Sequence, residues 1–307
     1  IVMIKKILVT GILLIVFGVT LLYKDQILKT YYDYFVKETR EVKLSSNEKN
    51  KYYRDYDFLY VQNTTNFKPK NKQDLLNIIY TVLNSGKTKF TFYCPEEYKS
   101  CLPDVKSLAK DQVTLSNINN YVHPYNSFKN ISTQTDTLGT VTLNIEKAYS
   151  DTDIKLIEET VKNIESQIFD SNLSTEDQIR KIHDYIIDNA KYDSNRTDNN
   201  VIEYKSDIAY GPLLEGYGIC GGYSDAMAIF LNDLGIKNYK VSSAAHVWNA
   251  VELYNNWYHL DLTWDDPVTN TGVDLLEDKF FLISTEQLQT QEPSQHNFDL
   301  NVYKEFS

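Results

Sequence analysis

Cys220, His246 and Asp261 follow one another in the order a thiol active site needs: a nucleophile, a base that takes or shares its proton, and an acceptor that orients the base. The thiolate is the attacking species, so the placement of Cys220 matters first. Gly216 and Gly218 are turn residues leading into it. Tyr223, Met227, Phe230, Leu231 and Leu234 then recur at helical spacing until Gly235 stops the run. Cys220 is therefore expected at or beside a helix N-terminus, where the macrodipole and unpaired N–H groups favour an anion. Gly221 and Gly222 are expected to leave space for a substrate backbone above the sulfur. Taken alone, the cysteine fits equally a small buried residue packing a helix start.

Its partners decide between those readings. Tyr239 to Leu253 reads as a strand with a kink near Ser242. Asn255-Asn256 reads as a turn, and Trp257 to Trp264 as a second strand antiparallel to the first. Such a hairpin sets His246 and Asp261 on adjacent strands, a few Å apart if both face one side. Asp261 then holds the imidazole tautomer and stabilises the imidazolium. His259 is the rival base. It points to the same face as Asp261, but neighbours at i and i+2 on a strand are roughly 6–7 Å apart, too far for a direct hydrogen bond. His259 is accordingly read as a polar residue beside the cleft. Upstream, Asp151 to Phe169 forms an amphipathic helix with Ile154, Ile157, Val161, Ile164 and Ile168 on one side. Ser174 opens a second helix, with Asp177 completing an approximate capping box and Ile179, Ile182, Tyr185 and Ile186 on its apolar face.

The run Gly-Tyr-Gly-Ile-Cys220-Gly-Gly-Tyr-Ser-Asp-Ala, then His246-Val-Trp-Asn249, then Trp257-Tyr-His-Leu-Asp261-Leu-Thr-Trp-Asp-Asp-Pro267 resembles the core signature of transglutaminase-like proteins. The preceding Ile182-His-Asp-Tyr-Ile-Ile and Tyr192-Asp193 are similar to the helix that usually precedes that core in bacterial members. The resemblance covers about residues 150 to 270. Val247 stands where Ala is frequent, a departure that leaves the chemistry intact.

The resemblance implies an α+β, papain-like core, with the cysteine on a helix and the histidine and aspartate on an antiparallel sheet. It implies an enzyme that transfers acyl groups. Cys220 attacks a Gln carboxamide or peptide carbonyl to form a thioester. An amine then gives an isopeptide bond, and water gives deamidation or proteolysis. A cysteine peptidase of the same fold is the alternative within enzymes, and a non-catalytic cell-surface binding or scaffold module the alternative outside them. The backbone N–H of Cys220 is a natural oxyanion donor. Tyr192 and Tyr210 are side-chain candidates, with core tyrosine as the plainer reading of each. Trp248, Trp257 and Trp264 wall the cleft or pack the sheet. Asp265-Asp266-Pro267 reads more simply as an acidic turn than as a cation site. The mechanism demands no cofactor, and the five histidines show no metal-ligand spacing, so neither cofactor nor metal is expected.

The rest of the chain is an address and an appendage. Lys5 and Lys6 precede an uncharged run from Ile7 to Tyr23, closed by Lys24 and Asp25. As a helix that run spans about 25 Å, slightly short of a bilayer core. It is read as an uncleaved membrane anchor over residues 1–25 rather than a cleaved signal peptide. The basic flank would place the N-terminal side in the cytoplasm and the rest of a single-pass chain outside. Residues 26–50 read as a polar stalk, 51–147 as a small α/β domain of unrecognised family, and 148–307 as the catalytic domain. In the small domain Asp74–Leu83 is helical in pattern, and Lys89–Tyr93 and Val141–Ile145 alternate like strands. His123 falls in a loop. Outside the cell, Cys94 and Cys101 fit a disulfide that leaves Cys220 as the free thiol; in a reducing compartment they fit two unpaired thiols. With 42 acidic against 31 basic residues the net charge is −11, which argues against nucleic acid; the resemblance implies a protein or cell-wall peptide as the substrate. The 24 tyrosines suit either a polymer-binding surface or a plain compositional bias.

Overall fold

The computed structural model describes residues 2–31, 42–268 and 275–307, and of residues 2–10 the backbone alone. Two compact units result, Ile1–Lys43 and Leu44–Ser307. The first contains α1 (Val2–Leu22) and α2 (Lys24–Tyr31). Among the described residues no single helix is long and apolar enough to cross a membrane. Gly11–Leu22 and Lys24–Tyr31 meet the length and composition only as a pair, bent by 73°. Within the anchor expected over residues 1–25, α1 ends at Leu22, a break falls at Tyr23, and Lys24 and Asp25 open a second, polar helix.

Most of the expected stalk, 32–41, lies outside the described residues. Its end does not behave as a stalk. Residues 44–50 belong to the second unit, where the Asn50 N–H donates to Ser85 O at 3.2 Å and its side chain to Asn126 Oδ1 at 2.6 Å.

The second unit is α+β. Its first part holds α3 (Lys72–Asn84), β1 (Lys89–Tyr93), α4 (Cys101–Leu108), α5 (Gln112–Asn119), β2 (Phe128–Thr135) and β3 (Thr140–Lys147), the strands antiparallel in the order β1-β3-β2. Asn71 caps α3 by accepting from the Asp74 N–H, and alternate residues Val141, Leu143 and Ile145 of β3 are buried. A disulfide joins Cys94, just after β1, to Cys101 at the start of α4, with Cα atoms 5.6 Å apart.

The remainder contains α6 (Asp151–Ile168), α7 (Thr175–Asn189), β4 (Lys191–Tyr192), α8 (Ser194–Asn199), β5 (Tyr217–Gly218), α9 (Cys220–Asp233), β6 (Asn238–Ser242), β7 (Val247–Leu253), β8 (Asn256–Leu260), α10 (Leu262–Asp265) and α11 (Thr285–Gln291). Ser150 and Ser174 cap α6 and α7, and the apolar faces of both helices pack with α9 into one core. β6, β7 and β8 form an antiparallel sheet against which α9 rests.

This sheet corrects two expectations. The single strand over Tyr239–Leu253 is two strands, parted by a tight turn. The Ser243 N–H donates to His246 O at 2.9 Å, and the Ser243 hydroxyl accepts from the His246 N–H at 3.2 Å. The second strand stops at Leu260, because Asp261 becomes the N-cap of α10. His246 and Asp261 therefore sit at strand ends. The segment after residue 275 then runs along β8: His259 and Ile283 exchange backbone hydrogen bonds of 2.9 Å, and the Asp261 N–H donates to Phe280 O at 3.1 Å.

Residues 51–147 and 148–307, expected as separate domains, lie in one compact unit. Buried Arg54 reaches the carbonyls of Tyr121 at 2.8 Å and Asn238 at 2.9 Å, and Tyr121, Tyr239 and Tyr303 stack between the two parts. Tyr80, Tyr125, Tyr149 and Tyr223 are also core residues, so much of the tyrosine content builds the interior. His123 is buried as well, its Nδ1 accepting from the Tyr125 N–H.

Candidate active site

Cys220 is the first residue of α9, with Ile219 as N-cap in extended backbone, and it is the free cysteine of the chain. The helix is anchored on three sides without using the sulfur. Asp225 takes the Lys240 ammonium of β6 at 2.5 Å and the Tyr149 hydroxyl at 2.6 Å. Asn249 of β7 donates to Ser224 O at 2.9 Å, which explains the asparagine of the His246-Val-Trp-Asn run. The Tyr223 hydroxyl donates to Asp266.

Gly221 and Gly222 do something other than open room for a substrate. A Cβ at Gly221 would lie 2.8 Å from Asp207 O, and one at Gly222 2.3 Å from Ser206 O. The glycines admit the chain's own 206–208 loop, which packs against the first turn of α9; the Ile219 N–H also donates to Ser206 O at 2.8 Å.

The His246 Nε2–H donates to Asp261 Oδ2 at 2.6 Å, leaving Nδ1 for the thiol. Burial alone would lower the His246 pKa. The charge and hydrogen bond of Asp261, joined by the hydrogen bond and charge of Cys220, outweigh burial and push it up to about 10. The thiol is thus close enough to the ring to act on its charge. Trp248 stacks on His246, with ring centres 5.7 Å apart and planes at 17°. Asp261 is 1% exposed, and its carboxylate is fully engaged. Oδ1 accepts from the N–H groups of Thr263 at 3.0 Å and Trp264 at 3.3 Å. Oδ2 accepts from His246 and also from His296 Nε2 at 2.9 Å. Burial would raise this carboxyl, but the charge and hydrogen bond of His246, then those of His296, hold it well below the usual carboxylate range.

His259, the rival base, is occupied elsewhere. Its Nδ1 accepts from Trp248 Nε1–H at 3.0 Å, its Nε2 lies 3.1 Å from Thr285 Oγ1, and burial followed by the charge of His296 lowers its pKa to about 3. The ring is neutral at pH 7. It buttresses Trp248, which in turn backs His246.

The two tyrosine candidates part company. β4 and β5 pair in parallel, with Tyr192 opposite Gly218, two residues before Cys220. Burial, then the charge of Cys220, raises the Tyr192 hydroxyl. Tyr210 instead packs against the core, with the Lys205 ammonium 4.3 Å from its ring centre. Trp248 is buried, Trp264 lies against Phe280 and His296, and Trp257 packs on Tyr239. Asp265 and Asp266 point into the protein: Asp265 pairs with buried His183 at 3.1 Å and accepts from the Phe280 N–H at 3.0 Å. Ligand atoms of His246, Asp261 and His296 lie within 4.8 Å of one another, a spacing a cation can use. The 2.6 and 2.9 Å contacts place protons between them instead. His296 is the site residue that sequence reasoning missed.

Residues 162–262 match the family model of the transglutaminase-like superfamily, a stretch that takes in Cys220, His246 and Asp261 and stops before His296. Two solved structures align with the chain, each at 14% identity over 48% of its length. One, a TGase crystal structure, has a TM-score of 0.32 with 48% of that chain covered. The other, a candidate cysteine protease from Cytophaga hutchinsonii, has a TM-score of 0.27 with 65% covered. No curated protein sequence matches the chain.

Proposed function

We propose that this protein is a thiol acyltransferase acting on protein or peptide amides through a Cys220 thioester. The observation that carries the reading is the His246 ring, bonded through Nε2 to a buried carboxylate and interacting with Cys220 at a helix N-terminus. His246, raised to about 10, is imidazolium at pH 7, and the reaction runs through the Cys220 thiolate that this ring would stabilise. The sulfur attacks the amide carbon, the oxyanion is met by the Cys220 N–H with Tyr192 beside it, and the C–N bond breaks. His246 gives its proton to the departing amine or ammonia. An incoming amine, or water, then attacks the thioester and returns a proton to His246, and the thiolate leaves. Asp261 keeps the ring in the donating tautomer throughout.

The localisation reading is a membrane anchor in residues 1–25 with the remainder outside the cell. The uncharged Ile7–Tyr23 run behind Lys5 and Lys6 supports it, as does the Cys94–Cys101 disulfide, which suits an oxidising compartment. Incubation with a glutamine peptide and a labelled primary amine tests the activity. Covalent amine incorporation is the expected result. Cleavage of the peptide chain instead would move the assignment to a cysteine peptidase, and neither product would favour a binding or scaffold role.

A further inference from the structure

We infer that His296 is a positioning residue of the Cys220–His246–Asp261 site, clamping the Asp261 carboxylate beside His246 and adding a second positive ring to it; this rests on the catalytic reading above. His296 is fully buried, and its Nε2 lies 2.9 Å from the same oxygen, Asp261 Oδ2, that receives His246. Its Nδ1 lies 2.9 Å from Glu292 O. A carbonyl and a carboxylate both only accept, so the ring meets both at once only as a double donor. The ring lies over the Phe280 face at 5.3 Å, against Trp248 at 4.8 Å, and at right angles to His246 at 5.3 Å. The titratable groups facing it are Asp261 and His246, with Glu292 on its own loop and neutral His259 from β8.

The loop that carries His296 is itself tied down. Gln289 Nε2 donates to His296 O at 2.9 Å, and the preceding Phe280–Ile283 stretch pairs with β8. The C-terminal segment thus completes the site. Because Oδ2 is held from two directions, His246 faces a carboxylate that cannot rotate away.

Two variants separate clamp from charge. His296→Gln keeps a neutral donor near Asp261, and His296→Leu keeps neither donor nor charge. Removing a positive ring moves every neighbouring proton-transfer step to higher pH, so the pH profile of Cys220 alkylation by iodoacetamide should shift upward by about one unit in both. In amine incorporation, His296→Leu should lose about tenfold to a hundredfold in kcat with KM little changed, while His296→Gln recovers most of it. If His296→Leu does not fold, the His296→Gln profile alone decides. Wild-type reactivity at low pH with an unshifted His296→Gln profile would overturn this inference and leave the triad standing. A wild-type Cys220 inert at low pH would overturn the catalytic reading and this inference with it.

Discussion

Cys220→Ala abolishes covalent labelling and amine incorporation and leaves the fold intact. Every step of the proposed reaction passes through the sulfur, and Cys94 and Cys101 are bonded to each other, so no other thiol stands in. In triads of this logic, loss of the nucleophile lowers kcat by about six orders of magnitude. The fold should not notice. The start of α9 is held by Asn249 on Ser224, Tyr223 on Asp266 and Asp225 on Lys240, none of which uses Sγ. Far-ultraviolet dichroism and urea unfolding close to wild type, with turnover at background, are the expected readings. Turnover retained in Cys220→Ala would contradict the mechanism.

Asp261→Ala should damage both rate and fold. On the rate side the loss is about four orders of magnitude, less than for the nucleophile, because the imidazole remains but loses its orienting acceptor. On the fold side a buried carboxylate with four donors disappears, leaving two imidazole rings and the N–H groups of Thr263 and Trp264 without it. Breaking a buried pair from one side costs about 3–5 kcal/mol, readable by urea unfolding at pH 6. The pH dependence follows the signs of the shifts. Asp261 is depressed from an unfolded value of about 3.9, so its contribution is present above about pH 4 and lost as pH falls through the folded value. His246 is raised to about 10 from an unfolded value of about 6.5. Its contribution is complete below about pH 6.5 and is lost as pH rises through about 10. Wild-type stability from this site is therefore greatest between about pH 4 and 6.5, and Asp261→Ala should flatten both flanks. Unchanged flanks would mean that the pair contributes nothing to folding.

The chemistry was legible in the sequence where punctuation surrounds it. Glycine turns before Cys220 and the stop at Gly235 mark a helix whose first residue is the cysteine, and the helix runs from Cys220 to Asp233. The hairpin was legible in outline only. Ser243-Ala-Ala245 lacks glycine, proline, asparagine and aspartate, so serine is the one weak turn signal and a kink near Ser242 the most it announces. Asp261 looks like a strand residue until its side chain is seen capping α10. Gly221 and Gly222 show that something approaches closely but not what, and the visitor is the 206–208 loop. His296 gave no signal: it lies 35 residues beyond Asp261, in a polar stretch without periodicity, and only the return of the chain along β8 brings it in. A polar loop after a caught strand edge, carrying a histidine among phenylalanines, is the pattern that would have drawn attention to it.

Iodoacetamide labelling of the full chain, read at Cys220 by mass spectrometry from pH 4 to 9, tests the central claim most directly. An unassisted thiol with a pKa of about 8.5 is under about 1% ionised at pH 6. The thiolate–imidazolium pair predicts rapid alkylation at pH 6 that disappears in His246→Ala. Slow alkylation confined to pH above about 8, or reactivity at pH 6 that survives His246→Ala, would contradict it.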